Sequence, residues 1–140
     1  MKILLAVDGS AYTKKMLAYL VTHADMFSSA NTYQILHVQP ALPARARAAV
    51  GNTIVKQYHA DEAEKVIGPA SKFLVRHGLD PKSEWHVGHA GEVIAKTAAT
   101  GNHDLIVMGS HGHSALGNLV MGSVATQVLA HCTVPVLLVR

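Results

Sequence analysis

The stretch 104–125 carries the residues whose types and spacing are best suited to chemistry. An apolar run at 105–108, too short for a helix, is interpreted as a buried strand, and a glycine-punctuated loop follows it. After Gly122-Ser123 the spacing of apolar residues becomes helical. Glycines let backbone N–H groups approach an anion, and the start of a helix presents its positive end. The G-x2-G-x9-G-S spacing of Gly109, Gly112 and Gly122-Ser123 therefore predicts either a phosphate site or a purely structural turn.

Asp8 occupies the corresponding place after the first predicted strand. The residues from Ile3 to Val7 form a short apolar run, as expected of a parallel strand covered on both faces, and Asp8 ends it. In open α/β sheets, ligands bind at the carboxyl ends of the strands. We therefore expect the Asp8 carboxylate to contact a ligand, to hydrogen-bond the following turn, or to do both.

Apolar periodicity along the chain predicts alternating strands and helices. The predicted strands are 3–7, 33–38, 82–87, 105–108 and 135–139, and the predicted helices are 13–26, 53–77, 92–100 and 123–131. This alternation predicts one α/β domain over residues 1–140, with right-handed crossovers. We expect an open five-stranded parallel sheet in strand order 3-2-1-4-5, with helices on both faces. The first and fourth strands are then central neighbours, and the crevice above the reversal in winding between them is the expected ligand site.

Size and composition exclude several classes of protein. At 140 residues, with 49% apolar and 15% charged residues, the chain is long enough for one compact core. The net charge of +3 mildly favours anionic ligands, but scattered basic residues and few aromatic ones argue against nucleic-acid binding. The single cysteine, Cys132, excludes an internal disulfide and fits a reducing compartment. The N-terminal apolar run is too short for a signal peptide or a membrane span, so we expect a cytoplasmic protein.

Several other residues carry weaker indications. Residues 41–52 lack periodicity, and we interpret them as an irregular crossover in which Arg45 and Arg47 are either solvated or reach a triphosphate. His37 lies within the second predicted strand, where a histidine is expected to be a satisfied core or edge residue. We expect the remaining histidines outside the glycine loop to lie at the surface. Ser123 is expected to be the N-cap of the last helix.

Other chemical interpretations of the glycine loop fit less well. The segment from Gly117 to Ser123 has a G-x4-G-S spacing like that of a P-loop but lacks the lysine that such a loop needs. The His111-Gly112-His113 sequence is similar to a nucleotidyltransferase signature, which follows the first strand of that fold rather than the fourth. A metal site at His111 and His113 would lack a cysteine or carboxylate at ligand spacing.

The whole chain resembles a single-domain universal stress protein of the ATP-binding type. The resemblance rests on Val7-Asp8-Gly9-Ser10, on residues 104–112, on Gly122-Ser-Val-Ala125 and on the terminal run from Pro135 to Arg140. It covers the chain end to end and implies a Rossmann-like fold of the adenine nucleotide alpha hydrolase type. It also implies a regulatory module of the stress response that binds ATP, or else AMP or ADP, together with Mg²⁺.

The resemblance also implies a role for each residue around an adenine nucleotide. Asp8 would lie by the adenosine, with Ala6 and Val7 beneath it, and the Val38 backbone would meet the adenine. Residues 108–112 would surround the ribose and the α-phosphate, and the loop before the last helix would bind the outer phosphates through backbone N–H groups and one hydroxyl. The implied nucleotide-binding residues are Ala6, Val7, Asp8, Val38, Met108, Gly109, His111, Gly112, His113, Gly122, Ser123 and Val124. No catalytic residue and no metal ligand is assigned.

Two positions depart from the family pattern. Position 113, often Arg or Lys in the family, is His113 here. A neutral imidazole offers less charge to a phosphate, so we expect an affinity that is weaker or dependent on pH. Position 126, often Glu, is Thr126, which removes the acid of a capping box. Neither change removes a glycine.

Turnover and assembly can also be anticipated. With no lysine and no evident base beside the loop except the two histidines, we expect slow hydrolysis of ATP or none. The run from Pro135 to Val139 is apolar on both faces and lies at a predicted sheet edge, which pairing with a second copy would cover. Family members similarly dimerise through this strand, so we expect a homodimer without nucleic-acid or membrane partners. The alternative function is a nucleotide-independent interaction protein of the same fold, in which the loop is only structural.

Overall fold

The computed structural model describes residues 1–113 and 120–140 of the chain. Strands and helices alternate as β1 (Lys2–Ala6), α1 (Ala11–Thr22), β2 (Thr32–Gln39), α2 (Ala44–Val50), α3 (Asn52–Arg76), β3 (Lys82–Val87), α4 (Ala90–Thr100), β4 (Leu105–Gly109), α5 (Ser123–His131) and β5 (Val136–Val139). Gly117, part of the P-loop spacing considered above, lies outside the described residues. No helix within the described ranges is both long and apolar enough to cross a membrane.

All five strands join in one parallel sheet of order β3-β2-β1-β4-β5, as predicted. β1 is central and pairs with β2 on one side and β4 on the other, so that Leu5 lies between Ile35 and Val107. The chain winds in one direction from β1 to β3 and in the other from β4 to β5. The reversal therefore lies between β1 and β4, where ligands of this class of fold bind.

Alternating side chains of the central strand feed two apolar layers. Ile3, Leu5 and Val7 pack with α1 and α3, while Leu4 and Ala6 pack with α4 and α5. All of them are buried. Because both faces of β1 are covered, its sequence is a continuous apolar run and not an alternating one. The face that carries α4 and α5 also carries the candidate site.

The crossover expected to be irregular contains a helix. Residues Ala44–Val50 form α2, and none of them is buried. Alanine and arginine have high intrinsic helix propensity. An exposed helix needs no apolar stripe, so periodicity alone gives no sign of it.

α1 ends at Thr22 and not at Met26 as predicted. The Thr22 hydroxyl donates to the Ala18 carbonyl at 2.9 Å, and the His23 Nδ1–H donates to the Tyr19 carbonyl at 2.8 Å. These side chains hydrogen-bond to carbonyls of the last turn. In a longer helix the N–H groups of a further turn would bond to those carbonyls instead.

Two histidines expected at the surface are buried, which corrects the sequence prediction. His59 in α3 and His103 before β4 are 4% and 6% exposed. His37 is buried as expected, and its Nδ1–H donates to the Val7 carbonyl at 2.8 Å. Cys132 is half-buried. Histidine burial depends on which loop or helix packs against the ring, and the pattern of neighbouring residues does not specify it.

Candidate functional site

A cleft of about 200 Å³ opens at the carboxyl ends of β1 and β4, where the winding of the sheet reverses. Every residue named above as a nucleotide-binding candidate lines it, namely Ala6, Val7, Asp8, Val38, Met108, Gly109, His111, Gly112, His113, Gly122, Ser123 and Val124. The lining also includes Ser110 and Ala125, which lie within the quoted motifs, and residues that the motifs did not indicate, namely Thr13, Leu36, Ala90 and Ile94. The fold thus brings the predicted residues together in one place.

The floor of the cleft is apolar. Ala6 and Met108, neighbours in the β1–β4 register, are buried, and Leu36 and Val38 of β2 continue the same surface. Ile94 of α4 packs in the same apolar cluster. A surface of this kind accommodates the flat face of an apolar ring, with a few polar groups to fix its orientation.

Asp8 organises the turn between β1 and α1. Its Oδ1 accepts hydrogen bonds from the Ser10 N–H and from the Thr13 hydroxyl, both at 2.9 Å. The Asp8 N–H donates to Thr13 Oγ1 at 3.0 Å. Its second oxygen, Oδ2, faces Gly112, because a Cβ built on that glycine would lie 2.8 Å from it. One carboxylate thus holds the turn through Oδ1 and directs Oδ2 toward the loop after β4.

Gly122 lets the segment before α5 pack against the loop after β4. A Cβ at this position would lie 3.0 Å from His111 Cα and 3.1 Å from the Ser110 carbonyl oxygen. The Gly122 N–H donates to that carbonyl at 2.7 Å, and the Ser110 N–H donates to the Val139 carbonyl at 2.8 Å. The Gly122 N–H is therefore used within the protein and does not point to a phosphate, contrary to the pose that the resemblance implied.

The start of α5 also differs from the prediction. Gly122 is the N-cap residue and Ser123 is the first residue of the helix, so the prediction that Ser123 is the N-cap is wrong. Thr126 donates to the Gly122 carbonyl through both its N–H, at 3.1 Å, and its hydroxyl, at 2.9 Å. Among the described residues, the N–H groups of Ser123, Val124 and Ala125 have no backbone acceptor, as is usual for a first turn. These residues line the cleft, so the helix end contributes neutral donors to it.

His111 and His113 line the cleft with different contacts. His111 Nδ1 lies 2.8 Å from Ser110 Oγ, and the His111 and Tyr12 rings lie 5.0 Å apart between centres. His113 Nε2 lies 2.6 Å from the main-chain carbonyl oxygen of Asp8. Because a carbonyl only accepts, Nε2 carries the hydrogen, and Nδ1 of the neutral ring is unprotonated. His113 thereby joins the loop after β4 to the end of β1.

Electrostatically, the cleft is poor in positive charge. Its lining within residues 1–113 and 120–140 includes no Lys or Arg, and Arg45 and Arg47 lie on the exposed helix α2 outside it. No group of three or more His, Cys, Asp or Glu side chains in the described part of the chain could hold a metal ion. The arrangement is therefore suited to binding through apolar contact and neutral donors.

Two signals in the sequence point toward the lining residues that the motifs missed. Thr13 lies in the first turn of α1, five residues after Asp8, and short polar side chains at a helix start bond to one another and to nearby N–H groups. Ala90 and Ile94 belong to α4, which was predicted to begin at Glu92 and begins at Ala90. A helix that follows a parallel strand starts at the carboxyl edge of the sheet, beside the cleft.

Known proteins resemble the chain over its whole length. It is 34% identical over 139 residues to the universal stress protein Slr1230 of Synechocystis, an alignment that covers 99% of this chain and 42% of that protein. The chain thus spans less than half the length of that relative. The solved structure of the hypothetical protein MJ0577 of Methanocaldococcus jannaschii has a TM-score of 0.82 and 28% identity, covering 99% of this chain and 94% of that one.

At lower identity, the fold is shared with nucleotide complexes of other proteins. The universal stress protein of Archaeoglobus fulgidus in complex with dAMP has a TM-score of 0.71 and 19% identity, covering 100% of this chain and 98% of that one. A universal stress protein in complex with cAMP and one from Arabidopsis thaliana with AMP bound have TM-scores of 0.64 and 0.71 at 20% and 17% identity. The model of the universal stress protein family matches residues 1–140. The chain therefore belongs to the universal stress protein family.

Proposed function

We propose that this chain binds an adenine nucleotide in the cleft and acts as a nucleotide-dependent regulatory module of the stress response. The observation that carries the proposal is the cleft itself, which joins an apolar floor to N–H groups at the start of α5 that have no backbone acceptor among the described residues. A purine ring needs an apolar surface, and a phosphate needs N–H donors. The complexes of other universal stress proteins with dAMP, cAMP and AMP support it. ATP with Mg²⁺ is the ligand implied by the family resemblance, and AMP and ADP are alternatives.

The adenosine would occupy the apolar end of the cleft. The base would lie on Ala6 and Val7 beside Asp8, with the Val38 backbone at its edge, and residues 108–112 would surround the ribose and the first phosphate. Gly112 fits this role because a Cβ added at this position would lie only 2.8 Å from Asp8 Oδ2 and would crowd the carboxylate.

The outer phosphates would lie at the start of α5. Ser123 and Val124 would donate their N–H groups, and Ser123 would add its hydroxyl. Gly122 would contribute through close packing, because its N–H is bonded to the Ser110 carbonyl. A Mg²⁺ ion commonly takes most of its ligands from phosphates and water, so the nucleotide would hold it and no side chain is assigned as its ligand.

We also propose that bound ATP is hydrolysed slowly or not at all. Hydrolysis needs an oriented water and a base, and the titratable side chains of the described lining are Asp8, His111 and His113. Asp8 Oδ1 and His113 Nε2 are engaged in hydrogen bonds within the protein, and the described residues of the lining include no Lys or Arg to stabilise charge on the outer phosphate. Phosphate release under saturating Mg-ATP is expected below about one per second, the low end for ordinary enzymes. Faster release would contradict this.

The other proposals concern the protein as a whole. We propose a single domain over residues 1–140, a cytoplasmic location, and a homodimer formed through the run from Pro135 to Val139. Neither nucleic acid nor membrane is a proposed partner.

A nucleotide-independent interaction protein remains the second candidate. The hydrogen bond from Gly122 to Ser110 and the Asp8 turn favour it, because a purely structural loop would use both. Thermal unfolding separates the two functions, since a ligand of the folded state stabilises it by about 2.7 kcal/mol at a hundredfold excess over Kd. AMP and Mg-ATP are compared with Mg²⁺ and inorganic phosphate as the control. A rise in Tm confined to adenine nucleotides supports nucleotide binding, and no rise with either nucleotide favours the second candidate.

A further inference from the structure

The phosphate side of the cleft is built from a stretch of chain without formal charge. Residues 105–139 contain no Asp, Glu, Lys or Arg, although they include histidines. Among the described residues, this stretch supplies β4, residues 110–113 after it and the start of α5. Residues 114–119 belong to the same stretch, so they add no formal charge to it. Among the described residues that line the cleft, Asp8 is the one with a formal charge, and that charge is negative.

The donors that this part of the cleft offers to a phosphate are neutral. The Gly122 N–H is bonded to the Ser110 carbonyl, and the Nε2–H of His113 donates to the Asp8 carbonyl. The neutral His113 ring then presents an unprotonated Nδ1, which accepts a hydrogen bond and does not donate one. The first three N–H groups of α5, which have no backbone acceptor among the described residues, and the Ser123 hydroxyl are left as donors, at a helix end worth about half a positive charge. A partial charge of this size suits one phosphate better than a chain of three.

Lys15, Arg45 and Arg47 do not belong to the described lining and so do not offset Asp8 within it. Lys15 Nζ lies 4.7 Å from the centre of the Tyr12 ring, and Lys15 is not part of the described lining. Arg45 and Arg47 lie on α2, which has no buried residue and does not line the cleft. A free triphosphate would therefore meet the Asp8 carboxylate without a lining cation to offset the repulsion.

We propose that this cleft selects its nucleotide by phosphate charge, so that AMP binds unaided and ATP reaches a comparable affinity only with a divalent cation such as Mg²⁺. The inference rests on the proposed function and deepens it. AMP carries about two negative charges near neutral pH, as phosphomonoesters do, and each further phosphate adds more. A cation held between phosphate oxygens supplies the positive charge that a Lys or Arg at position 113 would have supplied.

Isothermal titration calorimetry of the wild-type protein tests this with AMP and ATP, each in EDTA and in excess Mg²⁺. In EDTA, AMP is expected to bind about tenfold more tightly than ATP. Adding Mg²⁺ is expected to raise the affinity for ATP about tenfold and to change that for AMP less than about threefold. ATP that binds in EDTA as tightly as AMP overturns charge selection and leaves nucleotide binding intact. No heat with either nucleotide in either condition overturns the proposed function as well.

Position 113 offers a matched pair of variants. His113→Arg introduces a permanent cation, whereas His113→Gln keeps an N–H donor for the Asp8 carbonyl without adding charge. His113 is exposed, so we expect neither change to alter the fold. In EDTA, His113→Arg is expected to raise the affinity for ATP about tenfold, and that for AMP by less, while His113→Gln, which adds no charge, is expected to give no such selective gain for ATP. An equal gain for both nucleotides in His113→Arg, or a selective gain for ATP in His113→Gln, overturns the proposal.

Discussion

Gly112 sets how closely the loop after β4 approaches the end of β1. A Cβ at this position would lie 2.8 Å from Asp8 Oδ2, closer than a Cβ comes to such an atom in real structures. In Gly112→Ala the loop or the carboxylate must move, and the polar end of the cleft changes shape. We expect the affinity for adenine nucleotides to fall about tenfold, equivalent to about 1.4 kcal/mol, in calorimetric titrations.

Gly68→Ala in α3 is the matched control for this change. Its Cβ would lie 2.7 Å from a Glu64 carboxylate oxygen, and Glu64 is exposed and flexible enough to move aside. We expect unchanged nucleotide affinity, while the free energy of unfolding reflects the balance between the higher helix propensity of alanine and the crowding of its Cβ against the ring of Pro69. Wild-type affinity in Gly112→Ala would show that this close approach does not shape the site.

At the scale of single residues, the sequence predicts which side chains meet more reliably than how each is bonded. Asp8 and Gly109 lie at the carboxyl ends of two neighbouring strands, so the geometry of a parallel sheet brings their surroundings together. The N-cap of α5 is Gly122 and not Ser123, because the loop bends toward the Ser110 carbonyl before the helix begins. That bend depends on the path of the main chain, which no spacing of residue types specifies.

Among the connecting elements, the segment between α4 and β4 carries a buried histidine that links several strands. The His103 Nε2–H donates to Gln34 Oε1 in β2 at 2.9 Å, and Gln34 Nε2 donates to Glu84 in β3 at 2.5 Å. Burial, followed by the nearby Lys2 ammonium, lowers the pKa of His103 below its usual value near 6.5. His103 therefore binds a proton less readily in the folded protein than in the unfolded chain.

This lowered pKa predicts that acid weakens the fold. Above about pH 6.5 His103 is neutral in both states, and as the pH falls below that value the unfolded chain binds the proton first, so the free energy of unfolding falls. One such group contributes at most about 1.4 kcal/mol per pH unit. Urea unfolding at about pH 8 and about pH 5.5 measures the loss, and His103→Gln is expected to lose less than the wild type does. An equal loss in both proteins would exclude His103 as its source.

The elements that the sequence predicts best are those whose apolar residues face the core. α3 was expected at 53–77 and spans Asn52–Arg76, and its buried Ala63, Ile67, Ala70 and Leu74 recur at the spacing of one helix face. α2 was missed because a helix without buried residues leaves no such pattern. Periodicity therefore detects packing against the core more directly than it detects helix formation.

For the molecule as a whole, strand order follows from how each strand is covered. The polar and apolar alternation of β3 is typical of a half-exposed edge, and the continuous apolar run of β1 is typical of a centre. β5 is the exception, because its run Val136–Val139 is as apolar as a central strand and yet lies at the edge. Its residues from 136 to 138 are only half-buried in the single chain.

The hydrogen bonds of β5 indicate which of its backbone groups face outward. The Pro135 and Val139 carbonyls accept from Ile106 and Ser110 of the β4 side. In a parallel ladder the groups alternate, so Leu137 directs its N–H toward β4 and Leu138 directs its N–H away from it. An outward-facing apolar edge of this kind is a template for pairing with another strand.

This alternation yields a matched test of the proposed homodimer. Proline at either leucine removes the same side chain and one N–H, but Leu138→Pro removes an outward N–H and Leu137→Pro removes one bonded to β4. We expect the wild type to sediment as a dimer of 14.9 kDa chains and Leu138→Pro to sediment as a folded monomer. We expect the free energy of unfolding to fall further in Leu137→Pro than in Leu138→Pro. The expected difference is about 1 kcal/mol, the contribution of one ladder hydrogen bond. A monomeric wild type at micromolar concentration, or a Leu138→Pro variant that stays dimeric, would show that this edge does not form the interface.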